Sequence, residues 1–296
     1  MTSLRAAVRA GTEQLRDAGV GSPDVDAVEL AAHVLGVEPA EVRRQMILAT
    51  AVPTPFTEPY AAVLAERARR VPLQHLTGRA HFRRLTLAVG PGVFTPRPET
   101  EVLVDLALAE VDQLTGTGRA DIRAIDLCAG SGAIPLALKE ERPEVLVRAL
   151  ELSRDAVAWA SLNRDRLGLD VEIAQGDATR PCFSDWVGTV DLVTVNPPYI
   201  PTGAVPVDPE VRDHDPELAL YGGSVDGLAI PLQVARVAAG LLRPGGLLLM
   251  EHADTQGDSL PARLSATGQW VDLADHDDLT GRPRVTAARR APIERD

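Results

Sequence analysis

Asn196-Pro197-Pro198-Tyr199 is the stretch of this sequence whose residue types and order best suit chemistry. Asn196 carries an amide oxygen and Pro197 a backbone carbonyl, so two hydrogen-bond acceptors stand side by side. Consecutive prolines fix φ, which holds both acceptors on stiff backbone. Tyr199 adds a flat ring that can pack against a planar group. Together these groups can take an NH2 by both hydrogens and leave the nitrogen lone pair facing outward, the arrangement needed before attack on an electrophilic carbon. The preceding run, Asp191-Leu-Val-Thr-Val195, is short and β-branched and reads as a buried strand. The tetrapeptide therefore sits at a strand end.

A second constellation precedes it. Ile122 to Leu127 reads as a strand, Cys128-Ala129-Gly130-Ser131-Gly132 as a glycine turn, and Ala133 to Lys139 as the start of a helix. Glycines let backbone approach a ligand closely, and the N–H groups of a helix start point into the gap. Glu151 ends the next strand, and an acid about 20 residues beyond a glycine turn is placed to bind ribose hydroxyls. Pro135 stands where a dinucleotide fingerprint has its third glycine, so no pyrophosphate need be cradled. Gly176-Asp177-Ala178, after the third strand, lies where an adenine ring would sit, and Asp177 could accept from its exocyclic amine. The proline-held segment from Gly92 to Glu101 has the stiffness of a pocket wall.

The elements that position these groups fall into three parts. Residues 1–72 read as a helical bundle: an apolar stripe of Leu4, Val8 and Leu15, a helix capped by Ser22 with Pro23 in its first turn and closed by Gly36, a short helix from Pro39 to Ile47, and another opening at Thr57. Its expected role is substrate docking. Residues 73–95 read as a β-hairpin linker, with partial alternation through Phe82, Leu85, Leu87 and Val89. Residues 96–296 alternate strand and helix, the pattern of a doubly wound α/β sheet. Strands are expected at Ile122–Leu127, Val145–Leu152, Val171–Ala174, Asp191–Val195, Leu247–Glu251, Trp270–Leu273 and Arg284–Ala288.

Composition narrows the partners. The chain has 296 residues, 45% of them hydrophobic, and a formal net charge of −12. Proteins that track a nucleic-acid backbone usually present a basic face, and the sequence after Tyr199 is acidic, so direct nucleic-acid binding is not expected. Cys128 and Cys182 are the only cysteines and have neither disulfide nor metal-ligand spacing. They read as reduced thiols of a cytoplasmic protein. There is no apolar run long enough to span a bilayer and no signal-peptide core at the start. A monomer without a metal is expected. The six histidines are scattered, and none is given a catalytic role.

Asp126-Leu-Cys-Ala-Gly-Ser-Gly132, Glu151, Asp177 and Asn196-Pro-Pro-Tyr199 together resemble an S-adenosylmethionine-dependent methyltransferase with a Rossmann-like, seven-stranded sheet. Pro72-Leu-Gln-His-Leu-Thr-Gly78, Val93-Phe-Thr-Pro-Arg-Pro-Glu-Thr-Glu101, Asp215-Pro216, Gly222-Gly223, Asp226-Gly227-Leu228 and Asp278-Leu-Thr-Gly-Arg282 narrow the resemblance to the release factor glutamine methyltransferase family. The resemblance implies methylation of the side-chain amide nitrogen of the Gly-Gly-Gln glutamine in class-1 peptide-chain release factors, with S-adenosylhomocysteine as product. It implies that Cys128, Ala129, Gly130, Ser131 and Gly132 line the methionine end of the cofactor. Glu151 would hold its ribose, Asp177 and Ala178 would flank its adenine, and Phe94 and Arg97 would border the pocket, Arg97 on the substrate side. Asn196 would touch both cofactor and substrate, and Asn196, Pro197, Pro198 and Tyr199 would hold the glutamine. Four places depart from the family pattern, one of them His214-Asp215-Pro216, which replaces a common glutamate-proline pairing. Glu151 stands for a common aspartate, Ala178 cannot stack on adenine, and Cys128 stands for a frequent glycine, so its side chain must point away from the methionine portion. The rival is an adenine-N6 methyltransferase acting on DNA or RNA, which shares the tetrapeptide but should carry a basic, aromatic-laced recognition segment.

Overall fold

The computed structural model of the chain describes residues 3–292, which fall into two compact units. The described residues of the first are 3–79 with 89–91 and 206–214. Its helices before the sheet are α1 (Leu4–Asp17), α2 (Pro23–Leu35), α3 (Pro39–Ile47), α4 (Thr57–Ala68) and α5 (Leu73–Thr77). Leu4, Val8, Leu15, Leu30, Phe56 and Tyr60 form its core, and the last two stack with ring centroids 4.7 Å apart. Gly36 closes α2 in the left-handed conformation at φ 65°, as glycine does at helix ends. Ser22 holds the cap position of α2, but its hydroxyl makes no capping bond. The helix α5 lies within the stretch read from sequence as hairpin linker. Pro72 starts it and Gly78, at φ 70°, ends it after only five residues, too short for a periodic signal.

The second unit holds the hairpin β1 (Arg79–Phe82) and β2 (Leu85–Ala88), then α6 (Glu101–Gly116) and a seven-stranded sheet. Chain order through the sheet is β3 (Arg123–Leu127), α7 (Ala133–Glu141), β4 (Leu146–Glu151), α8 (Arg154–Leu167), β5 (Val171–Gln175) and β6 (Val190–Val195). After α9 (Pro209–His214), which belongs to the first unit, come α10 (Ala229–Leu241), β7 (Leu242–Glu251), α11 (Ser259–Ser265), β8 (Trp270–Asp277) and β9 (Pro283–Arg290). Spatial order is β5-β4-β3-β6-β7-β9-β8. The first five are parallel, and β9 runs antiparallel to both of its neighbours. Every residue of β6 is buried, as befits a central parallel strand covered on both faces.

All seven strands expected from sequence are present. Two are longer than expected by four residues or more. β7 begins at Leu242, because Pro244-Gly245-Gly246 lies inside the strand at a register irregularity opposite Val190 and Leu192. β8 extends to Asp277 past a second irregularity between Val271 and Ala274, with Asp272 at φ 50°. Irregularities of this kind admit residues that pattern reading takes as strand ends.

Helix α8 anchors the hairpin to the glycine turn through one side chain. Asn163 is 1% exposed; its Oδ1 accepts from Ala88 N at 2.6 Å, and its Nδ2 donates to Ala88 O and Ser131 O, both at 3.0 Å. Replacing Asn163 with alanine leaves three buried backbone groups without partners, each costing about 1–3 kcal/mol. The expected result is a loss of at least about 3 kcal/mol in urea unfolding. A midpoint unchanged at constant slope would refute the account.

Candidate active site

The chain order reverses where β3 meets β6, since β4 lies on one side of β3 and β6 on the other. In open α/β sheets, ligands bind outside the carboxyl ends of the strands at such a switch point. Leu127 of β3 pairs with Val195 of β6. The glycine turn starting at Cys128 and the tetrapeptide starting at Asn196 therefore leave the sheet side by side. The neighbouring ends are in step: Leu127 pairs with Leu150, Glu151 with Gln175, and Val195 with Met250.

Around the glycine turn, the backbone is set by Glu151. Its Oε2 accepts from Gly130 N and its Oε1 from Ser153 N, both at 2.8 Å. Each oxygen keeps a lone pair, so the half-buried carboxylate is oriented rather than used up. Gly132 has φ 85°, and a Cβ there would lie 2.9 Å from Leu136 Cδ1, so a side chain would be strained and would have to move the leucine tip. Cys128 adopts φ 70°, a conformation more usual for glycine, and its side chain packs against the sheet core. Burial pushes its thiol well up, and the Glu151, Asp126 and Asp177 carboxylates add to the effect.

Asp126, two residues before the turn, is 1% exposed. Thr194 Oγ1 donates to its Oδ1 at 2.6 Å, while Oδ2 is buried without a partner. Burial pushes the carboxyl up to about 8, partly opposed by the Thr194 bond and reinforced by Glu151. The native state thus holds a proton that the unfolded chain releases near the ordinary value of 3.8. Stability from this group is full below that value and is lost as pH rises through about 8. Asp126→Asn should therefore gain in melting temperature relative to wild type between about pH 5 and about pH 9. Parallel melting curves for the two proteins would overturn the assignment.

Asp177 is committed to its own turn. Oδ1 accepts from Thr179 N at 2.9 Å and Thr179 Oγ1 at 2.6 Å, and Arg180 lies 3.3 Å from Oδ2. Ala178 is buried in the sheet core. Phe94 is half-buried, with the Arg97 guanidinium 5.1 Å above its ring, and Arg97 Nη2 donates to Asp215 Oδ2 at 2.8 Å. Arg97 thereby joins the proline-rich segment to Asp215-Pro216 beyond the tetrapeptide.

The tetrapeptide rests on buried polar groups. Asn196 is half-buried, and its Nδ2 donates to Thr100 Oγ1 at 3.4 Å, which leaves Oδ1 as the free edge of the amide. Tyr199 Oη donates to Glu251 Oε1 at 3.3 Å. Burial pushes the Tyr199 hydroxyl up, with the Glu251 charge adding. The residue is half-buried, and its hydroxyl meets the buried Glu251. Gln256, 4% exposed, donates from Nε2 to Tyr199 O at 3.0 Å and to Asp226 O at 2.8 Å. Ile200 N donates to Leu220 O at 2.8 Å, and Gly222 N to Ile200 O at 2.9 Å, so the chain after Tyr199 is paired like a short strand. Thr100, Asp126, Asn163, Glu251 and Gln256 were not singled out from sequence. Asp126 and Thr100 sit inside the quoted motifs, and Glu251 ends an expected strand. Their signal was a polar residue at a position that patterning marks as buried.

Residues 6–78 match the PrmC N-terminal domain and residues 85–208 the methyltransferase small domain. The chain is 49% identical over 98% of its length to a release factor glutamine methyltransferase of Streptomyces coelicolor, covering 99% of that protein. It is 45% identical, again over 98% of its length and 99% of the relative, to the enzyme of that name from Mycolicibacterium smegmatis. A 4-amino-L-phenylalanine/4-methylamino-L-phenylalanine methyltransferase of Streptomyces pristinaespiralis is 39% identical over 90% of this chain and 89% of its own. With these relatives matched nearly end to end, and a glycine turn set beside Asn196-Pro-Pro-Tyr199, the chain belongs to the release factor glutamine methyltransferase family.

Proposed function

We propose that this protein methylates the side-chain amide nitrogen, N5, of the glutamine in the Gly-Gly-Gln motif of class-1 peptide-chain release factors. The observation that carries this reading is the pairing of Leu127 with Val195, which brings a nucleoside-binding turn and a double acceptor to one sheet end.

The residues fit S-adenosylmethionine. The donor is cationic, and Asp126 beside the turn, protonated in the free protein, keeps an oxygen without a protein partner that a cationic neighbour would help to ionise. Gly130 and Gly132 leave room for close approach, and Glu151 is oriented for ribose hydroxyls. Bound there, the cofactor supplies an electrophilic methyl group on a sulfonium and leaves as S-adenosylhomocysteine. Ala178 lends no ring to the adenine, and Asp177 keeps one lightly engaged oxygen for its amine.

The substrate amide is a poor nucleophile because its lone pair is delocalised. Asn196 Oδ1 and the Pro197 carbonyl accept its two hydrogens and favour the pyramidal nitrogen that attack requires. Positioning of this kind contributes part of the roughly 7–11 kcal/mol available to oriented reactants. The same oxygens meet the positive charge that develops on nitrogen. The amide proton passes to solvent after transfer, with no metal taking part.

The first unit is read as the docking surface. An open groove of about 510 Å³, lined by Val8, Arg9, Arg16, Val25 and Met46 among others, and the exposed Ile47 and Leu48 support that assignment. The acidic run after Tyr199 is partly internal: Arg67 and Arg70 hold Glu210, and Arg97 holds Asp215. No helix among the described residues is long and apolar enough to cross a membrane, in keeping with action in the cytoplasm on a translation factor.

The test is incubation with labelled cofactor and a release factor carrying Gly-Gly-Gln or Gly-Gly-Ala, followed by mass mapping. Label confined to the glutamine is expected. A free aromatic amine serves as the competing substrate, given the amino-phenylalanine relative. Label on the amine but not on the glutamine would sink the proposal.

A further inference from the structure

Beneath the tetrapeptide lies a carboxyl that the proposed chemistry leaves without a task. Glu251 ends β7 and is 2% exposed. Because Val195 pairs with Met250, Glu251 is the strand neighbour of Asn196. Its Oε1 accepts from Tyr199 Oη, the Thr100 hydroxyl favours its charged form, and its Oε2 has no hydrogen-bond partner. Thr100, 4% exposed, in turn receives Asn196 Nδ2. A line of polar groups thus runs from Asn196, bonded to the Thr100 hydroxyl, to Glu251, whose charge Thr100 favours and which Tyr199 meets.

The direction of that chain matters. An asparagine amide has a donor edge and an acceptor edge, and only the acceptor edge can hold an incoming NH2. Thr100 has one hydroxyl hydrogen. If it points to Asn196, it draws Oδ1 inward and turns the Asn196 NH2 toward the substrate, donor against donor. If a carboxylate takes it, the Thr100 lone pairs face Asn196 and draw Nδ2 inward, as observed. We infer that Glu251 is a positioning residue for the transfer: through Thr100 it turns the acceptor edge of Asn196 toward the substrate amide, and through Tyr199 it fixes the far end of the same turn. The inference rests on the proposed function.

Burial pushes the Glu251 carboxyl up to about 7. The charged and titratable groups facing it are Tyr199 from the turn, Arg284 from β9 and Glu99 from the segment before α6. Arg284 is itself paired with Asp278 at 3.3 Å. The next residue, His252, places its ring against Asp275 of β8 at 2.7 Å. Protonated Glu251 carries a hydrogen it can donate to Thr100, which reverses the chain. Turnover should therefore fall on the acid side of neutrality, and kcat reports this group in the substrate complex.

The experiment compares wild type with Glu251→Gln, Thr100→Val and Thr100→Ser on a Gly-Gly-Gln-bearing release factor across pH. Glu251→Gln and Thr100→Val should each lower kcat roughly 10- to 100-fold, by analogy with single positioned groups. Cofactor dissociation constants should stay within about threefold, and the acid limb of the kcat profile should flatten. Thr100→Ser, which restores the hydroxyl, should recover most of the loss. The chain is also read without turnover, from the side-chain NH2 resonances of Asn196. These should shift across the Glu251 titration in wild type and stay still in Thr100→Val. If they do so while no glutamine is methylated, the proposed function falls and only the coupling of Asn196 to Glu251 through Thr100 stands. If glutamine is methylated but the resonances, the acid limb and kcat ignore all three substitutions, the inference alone falls. A lowered kcat with an unmoved acid limb, and no rescue by serine, would likewise overturn it.

Discussion

Replacing Asn196 with alanine should lower kcat by about 10²- to 10³-fold, the range found when one preorganised hydrogen-bonding group is removed from a reacting centre. The loss falls on turnover because Asn196 Oδ1 acts on the nitrogen as its charge develops, while binding of the methyl donor draws mainly on the glycine turn and Glu151. The cofactor dissociation constant should therefore change by no more than about tenfold, one decade being 1.4 kcal/mol. Little structure depends on the side chain. Its one recorded bond is the 3.4 Å contact from Nδ2 to Thr100, and the residue is half-buried. Unfolding free energy should move by about 1 kcal/mol or less, the worth of one modest hydrogen bond. Single-turnover methylation, cofactor titration and urea unfolding on the same preparation separate these expectations. Normal turnover in the variant would remove Asn196 from the chemistry.

What the sequence revealed of this site follows from where its information lies. The glycine turn and the tetrapeptide are local: glycines, prolines and an asparagine contiguous in the chain announce a strained or stiff backbone beside a strand end. The strands were legible because β6 and its parallel neighbours are buried on both faces and read as apolar runs. The supporting groups are not local. Thr100 and Asn196 are 96 positions apart, Tyr199 and Glu251 are 52 apart, and Asn163 reaches Ala88 across 75. Such partners emerge only once register is known, and register between parallel strands is set by packing across crossovers rather than by any turn. Asp177 is a local case. Its position after β5 suggests a ligand contact, and Thr179 takes only one of its oxygens, in a turn of a kind that aspartate forms wherever the chain bends.

The loop from Gly222 to Gly227 gives the other large effect expected. Gly227 has φ 73°, and a Cβ there would lie 2.1 Å from Tyr199 O and 2.9 Å from Gln256 Nε2. Gly222 is as tight on the other side, its Cβ meeting Gly227 O at 1.9 Å. Backbone thus lies on backbone beneath the tetrapeptide, and Gln256 ties the two strands of the contact together by donating to both Tyr199 O and Asp226 O. Gly227→Ala must displace the Tyr199 carbonyl or its own loop, since Tyr199 O is backbone and the Gln256 tip is held by two hydrogen bonds. Left-handed strain and overpacking together should cost about 2–5 kcal/mol. A shift of about 1 Å in a positioned group is enough to lower turnover about 100-fold even though residue 227 touches no reactant. Gly203 provides the comparison that isolates the close approach. It has φ 88°, yet nothing lies within 4 Å of its Cβ position. Gly203→Ala should therefore carry only the conformational cost of about 1–2 kcal/mol and keep its kcat. Melting curves and initial rates for the two variants decide the matter. Equal losses in both would mean that backbone conformation alone, and not the contact under Tyr199, makes glycine necessary at 227.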